Sequence, residues 1–78
     1  MSNPRGIPKR RTPVSRAERD VWELVGQGLP DKVIARRLDK AVSTVKVQVR
    51  ALLLRLGYEN RVQLALAWHG VEFNTGDM

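Results

Sequence analysis

Cysteine is missing from this 78-residue chain. With it go disulfide frameworks, thiolate metal sites and cysteine nucleophiles, and the composition suits a reducing compartment. Histidine occurs once, as His69, and the carboxylates are scattered. Neither a nucleophile with an oriented base nor a set of metal ligands can be assembled from them, so no catalytic residue, metal or cofactor is expected and the chain does not read as an enzyme. Gly26 and Gly28 lack the strand and turn around which a phosphate-cradling loop is built. No stretch approaches the roughly 18 apolar residues that span a bilayer, and the first residues lack the apolar core of a secretory signal. A membrane partner is therefore not expected, and a cytoplasmic location is. Aromatic residues make up only 5% of the chain. A domain of this size buries only about 60% of its unfolded surface, so its core is small and an oligomer would help it.

Positive charge is what the chain does have. Lys and Arg number 14 against 8 Asp and Glu, a net charge of +6, which points to nucleic acid or an anionic surface as the counterpart. The charge is unevenly placed. Residues 1–14 carry Arg5, Lys9, Arg10 and Arg11 among Pro4, Gly6, Pro8 and Pro13, with no acid before Glu18, and read as a flexible basic arm. Such an arm lies along phosphates or in a minor groove, with Arg10 and Arg11 as phosphate contacts, or else is a solvated tail that aids solubility. Residues 72–78 read as a second flexible tail.

Between them the pattern is helical. Ser15 and Glu18 have the spacing of a capping box, with Val14 placed to pack just ahead of it. Helix 1 should run from Arg16 to about Gln27, with Ala17, Val21, Leu24 and Val25 inward and Trp22 at the edge, until Gly28 ends it. Helix 2 opens at Pro30, Asp31 and Lys32 and buries Ile34, Ala35 and Leu38. After a tight connection through Asp39, Lys40 and Ala41, a third helix spans Val42 to Leu56. At about 100° per residue, Val42, Val45, Val49, Leu52, Leu53 and Leu56 gather on one side. The other side begins with Ser43, Val47, Arg50 and Ala51, flanked by Thr44 and Lys46, and no Asp or Glu occurs from Lys40 to Tyr58. Two short helices so joined form a helix-turn-helix, whose second helix enters the major groove. Arg50 either bonds guanine O6 and N7 or is solvated. Lys46 either does the same or holds a phosphate, and Val47 either meets a thymine methyl or is simply exposed.

The pieces SRAERDV from Ser15, GLPDKVIARRL from Gly28, STVKVQV from Ser43 and LGYENRVQLA from Leu56 occur in the order of the LuxR/GerE family, and the run from Val14 to Trp68 resembles its DNA-binding domain. The resemblance implies an all-α, four-helix helix-turn-helix domain over residues 15–71, whose third helix lies in the major groove and whose fourth supports dimerisation. Carried over by position, Lys46, Val47 and Arg50 face the bases and Thr44 and Lys32 hold phosphates. Ser43 and Arg61 are further candidates for phosphate. The partner implied is double-stranded DNA, in a bacterial or phage-encoded protein that works on the nucleoid. Family members usually carry a sensing or phosphoacceptor domain ahead of this one. With only residues 1–14 in front, the chain is expected to stand alone, with no ligand-binding domain.

Departures from the family pattern matter too. Asp39, Lys40 and Ala41 stand where the family usually has a Gly, an apolar residue and a capping Ser, and Ala is a poor cap at a cost of about 1 kcal/mol. Ser43 is the alternative cap if the helix starts later. Ala51 and Leu54 replace residues that are often basic or polar, and with Val33 they leave room for a protein partner. Asn60 should cap helix 4, from Arg61 to about Gly70, which has two apolar faces. Val62, Ala65, Leu66 and His69 lie on one, Leu64, Ala67, Trp68 and Val71 on the other. The second is the expected homodimer surface with Trp68 as its anchor, unless Trp68 folds back over the core. Two functions compete: a dimeric transcription regulator that reads DNA through its third helix, and an anti-activator or modulator that binds a larger LuxR-type regulator.

Overall fold

A computed structural model describes residues 14–72. The expected arm, with Arg10 and Arg11, and most of the expected C-terminal tail lie outside them. Four helices follow one another: α1 (Arg16–Gly26), α2 (Asp31–Leu38), α3 (Val42–Leu56) and α4 (Arg61–Trp68). Among the described residues there is no strand, and no helix is long and apolar enough to cross a membrane.

The start of α1 is the capping box that the sequence announces. The Glu18 amide donates to Ser15 Oγ, the Ser15 amide donates back to Glu18 Oε1, each at 3.1 Å, and Val14 packs against the core. Reaching back in this way turns Glu18 inward, where it is buried and accepts a bond from Arg55 of α3. Ala17, expected on the inner stripe, is exposed instead. The cap rotates the buried stripe of α1 to Glu18, Val21, Leu24 and Val25.

The core is contributed by all four helices. Val21, Leu24 and Val25 of α1 meet Ile34 and Ala35 of α2, Val45, Val49 and Leu52 of α3, and Leu64 of α4. Leu53 and Leu56 pack at its edge, but Val42 is 37% exposed. It is the first residue of α3, next to the turn, and is the least covered of the expected stripe.

Helix 4 resolves its two apolar faces in the direction opposite to the expected one. Leu64 is fully buried, and its carbonyl accepts a 2.8 Å bond from Trp22 Nε1. Trp68 meets Trp22 edge-on, with ring centroids 5.4 Å apart, and lies under the Arg19 guanidinium. Gly26 makes room for this contact. A Cβ there would come within 2.7 to 2.9 Å of Trp68 side-chain atoms. The Nε2 of His69 lies 2.8 Å from the Gly26 carbonyl oxygen. Leu64 and Trp68 therefore belong to the α1–α4 seam and are not a free dimer surface. Two apolar faces alone could not decide the matter; the indole of Trp22 and the gap at Gly26 do.

Candidate nucleic-acid interface

Three of the four helices stop on a glycine with positive φ: Gly28 after α1, Gly57 after α3 and Gly70 after α4. Each lets the next amide reach back to the last turn, as Leu29 does to the Leu24 carbonyl, Tyr58 to Leu53 and Val71 to Leu66. The stop of α2 has the same geometry. The Lys40 amide donates to the Ala35 carbonyl at 2.9 Å and the Asp39 amide to Arg36 at 3.3 Å, the paired bonds of a Schellman motif. Here, however, the left-handed residue is Asp39, with φ 56° and ψ 50°. A Cβ-bearing residue adopts that conformation at a cost, smallest for Asn and Asp.

The chain then turns straight into α3. Ala41 is its N-cap, in an extended conformation and with no side-chain cap bond. Ser43 is inside the helix, so it is not the alternative cap. Lys40 contributes to the turn in another way, because its ammonium donates to Gln48 Oε1 at 2.9 Å and ties the connection to the second turn of α3.

With Val45, Val49 and Leu52 held in the core, the helical repeat leaves Ser43, Thr44, Lys46, Val47 and Arg50 exposed. Among the described residues, Lys46, Val47 and Arg50 line one open depression, so the three expected base contacts are brought together. Val47 is 67% exposed and Leu54, further along, 78%. Lys32 is exposed at the start of α2.

Arg61, expected to hold a phosphate, is already engaged within the protein. Its Nη1 donates to Asp31 Oδ1 at 2.6 Å and its Nη2 to the Leu29 carbonyl at 2.8 Å, fastening the start of α4 to the start of α2. Asp31 also faces Lys46, whose Nζ lies 3.4 Å from Oδ2. Burial alone would push the Asp31 carboxyl up, but Arg61 and then Lys46 outweigh it and hold the group below its usual range. The stretch from Lys40 to Tyr58 is free of acid in sequence but not in space. Asp31 was the residue that sequence reasoning missed. The signal for it was the packing of a helix-turn-helix, which sets the start of the first helix against the outer turns of the second.

On α4 Ala67 is half-buried, and Val71, which lies beyond the end of the helix, is 42% exposed. The face left open beside the seam carries Val62, 66% exposed, and Leu66, 41% exposed. This face is apolar and lies on the side opposite to the expected one. Among the described residues no three His, Asp or Glu side chains gather as a metal site.

A comparison with protein families matches residues 12–68 to the one described as "Bacterial regulatory proteins, luxR family". Among curated proteins, the chain is 50% identical over 52 residues to the "Nitrate/nitrite response regulator protein NarL" of Escherichia coli (strain K12). That match covers 67% of this chain and 24% of the relative. It is 39% identical over 69 residues to the "DNA-binding transcriptional activator DevR/DosR" of Mycobacterium tuberculosis (strain ATCC 25618 / H37Rv), covering 85% of this chain and 32% of the relative. The chain thus spans only 24% and 32% of the length of these two relatives.

Proposed function

Since the chain belongs to the luxR family of bacterial regulatory proteins, we propose that it regulates transcription by binding double-stranded DNA, with α3 in the major groove. The observation that carries this reading is the outward face of α3. Lys46, Val47 and Arg50 line one depression there, on a helix whose opposite side is fixed by the core. Helix 3 is thereby rigid from behind and cationic in front, as a helix that must follow a groove has to be. Lys46 and Arg50 supply donors for guanine or phosphate, and Val47 supplies methyl groups for thymine. Lys32, Ser43 and Thr44, all exposed, are the phosphate contacts in this reading, whereas Arg61 is engaged in fastening α4. Replacing Arg50 by Ala should weaken specific binding by about 1 to 3 kcal/mol and relax one base position. A gel-shift titration over a selected site and its single-base variants measures both effects, and unchanged specific affinity would remove Arg50 from base reading.

The name of the DevR/DosR relative, a DNA-binding transcriptional activator, supports the same class of function. We also propose that the protein works as a homodimer, through the open face of α4. Val62 and Leu66 are apolar, exposed and one helical turn apart, and a two-fold pairing would cover them with their own symmetry mates. Leu66→Glu should shift sedimentation from dimer to monomer without unfolding the chain; a monomeric parent protein would exclude the dimer outright. Sequestration of a larger LuxR-type regulator is the competing reading. It is favoured by the exposure of Leu54, and would show as binding to that regulator in place of binding to DNA.

A further inference from the structure

Asp31 does not belong to the set of residues that would touch DNA, yet it lies against two cations of this surface. Its two carboxylate oxygens face different partners. One accepts from Arg61, whose guanidinium has a second anchor on the Leu29 carbonyl. The other faces Lys46 at 3.4 Å. The two contacts differ in strength. The Arg61 contact is short, 2.6 Å, and made by a guanidinium held a second time on the Leu29 carbonyl, whereas the Lys46 contact is long and made by a side chain that is 66% exposed, the kind of ion pair that holds weakly.

The carboxylate is also the first residue of α2, where the unpaired amides and the helix dipole favour an anion. It thus occupies a place that suits a negative charge and offers that charge to Lys46. Glu59 follows α3 in the chain, and Glu18 is buried with its carboxylate engaged by Ser15 and Arg55. Neither is bonded to Lys46.

We infer that Asp31 is a positioning residue for the DNA-facing surface. It holds Lys46 against α2 in the free protein and competes with the DNA for that ammonium. This rests on the reading of α3 as the DNA-binding helix. A duplex must take Lys46 from Asp31 before the ammonium can contact a base or phosphate, while Arg61 keeps its hold because of its second anchor. Asp31 therefore lowers affinity for any duplex and limits the part Lys46 plays in the complex. Leu29, Asp31 and Arg61 remain one structural unit in both states.

The test is Asp31→Asn, which keeps an oxygen for Arg61 but removes the charge that holds Lys46. Duplex binding should tighten by roughly two- to fivefold, the range of an exposed ion pair. The plot of log affinity against log salt should steepen by up to about 0.9, one further phosphate contact. In a Lys46→Ala background the same substitution should bring little or no gain. An equal gain in both backgrounds would mean that the carboxylate merely repels the duplex, and would overturn the role assigned to Lys46. A second measurement needs neither DNA nor the Asn variant. The carboxyl titration of Asp31, followed by NMR, should move up in Lys46→Ala, and an unmoved midpoint overturns the pairing. Duplex binding with the same affinity by parent and Asp31→Asn overturns only the inference about Asp31. Failure of both to bind any duplex overturns the DNA reading itself and this inference with it.

Discussion

The α1–α4 seam and the α2–α3 turn are built to different standards. The seam joins two indoles edge to face, gives one of them a backbone acceptor, and closes over a glycine that leaves no spare room. The turn, which sets the angle of the DNA-facing helix, ends one helix on a left-handed Asp and starts the next on an Ala with no capping side chain. Stability is thus concentrated on the side away from the proposed interface. The interface rests on a connection whose local residues oppose it, held by the burial of Ile34, Ala35 and Val45 on either side.

Trp22→Ala breaks this contrast where the effect is largest. It removes the edge contact with Trp68 and leaves the Leu64 carbonyl without its indole donor. A loss of about 3 kcal/mol or more is expected from truncating a large aromatic side chain in a packed site. In a domain of this size that is a large share of the total stability. Urea unfolding followed by far-UV circular dichroism measures it. A loss below about 1 kcal/mol, the scale of a surface change, would show that the seam is not where the fold is held.

The turn should respond in the opposite direction. Ala41→Ser supplies an acceptor for the first amides of α3 and should add about 1 kcal/mol. Asp39→Gly relieves the left-handed conformation and removes a negative charge from the C-terminal end of α2, both favourable, and should add a similar or smaller amount. Thermal melting of each variant checks the sign. If both substitutions leave the melting temperature unchanged or lower it, the turn is not a weak point and the contrast fails.

How much of this could be read beforehand depended on how many residues the decision involved. Where it was local, the sequence sufficed. Ser15 and Glu18 announce the first helix, Gly28 and Gly57 end two helices, and the periodicity of Val45, Val49 and Leu52 turns Lys46, Val47 and Arg50 to one side. Where it required two distant elements, periodicity was blind. Helix 4 carries apolar residues around most of its circumference, and only Trp22 and Gly26, some forty residues earlier by the separation of their hydrogen-bonding partners, select Leu64 and Trp68 for burial. Arg61 and Asp31 follow the same rule. Each is an ordinary charged residue in its own helix, and only the crossing of α2, α3 and α4 makes one a fastener and the other its acceptor.

The smallest effect separates the two regions by pH. The Asp31 carboxyl is held below its ordinary value of 3.8 by Arg61 and Lys46, which overcome the opposing effect of burial. A carboxylate whose folded value is depressed contributes stability above the unfolded value and loses it as pH falls through the folded one. That contribution comes from the α2–α3–α4 junction, whereas the two contacts that Trp22→Ala removes, with the Trp68 ring and the Leu64 carbonyl, involve no titrating group. The difference in melting temperature between the parent protein and Asp31→Asn should therefore be present near neutral pH and shrink below pH 3.8. The difference between the parent and Trp22→Ala should vary far less with pH. If the Asp31→Asn difference persists undiminished in acid, charge is not what this carboxylate contributes, and the junction must be held by packing as the seam is.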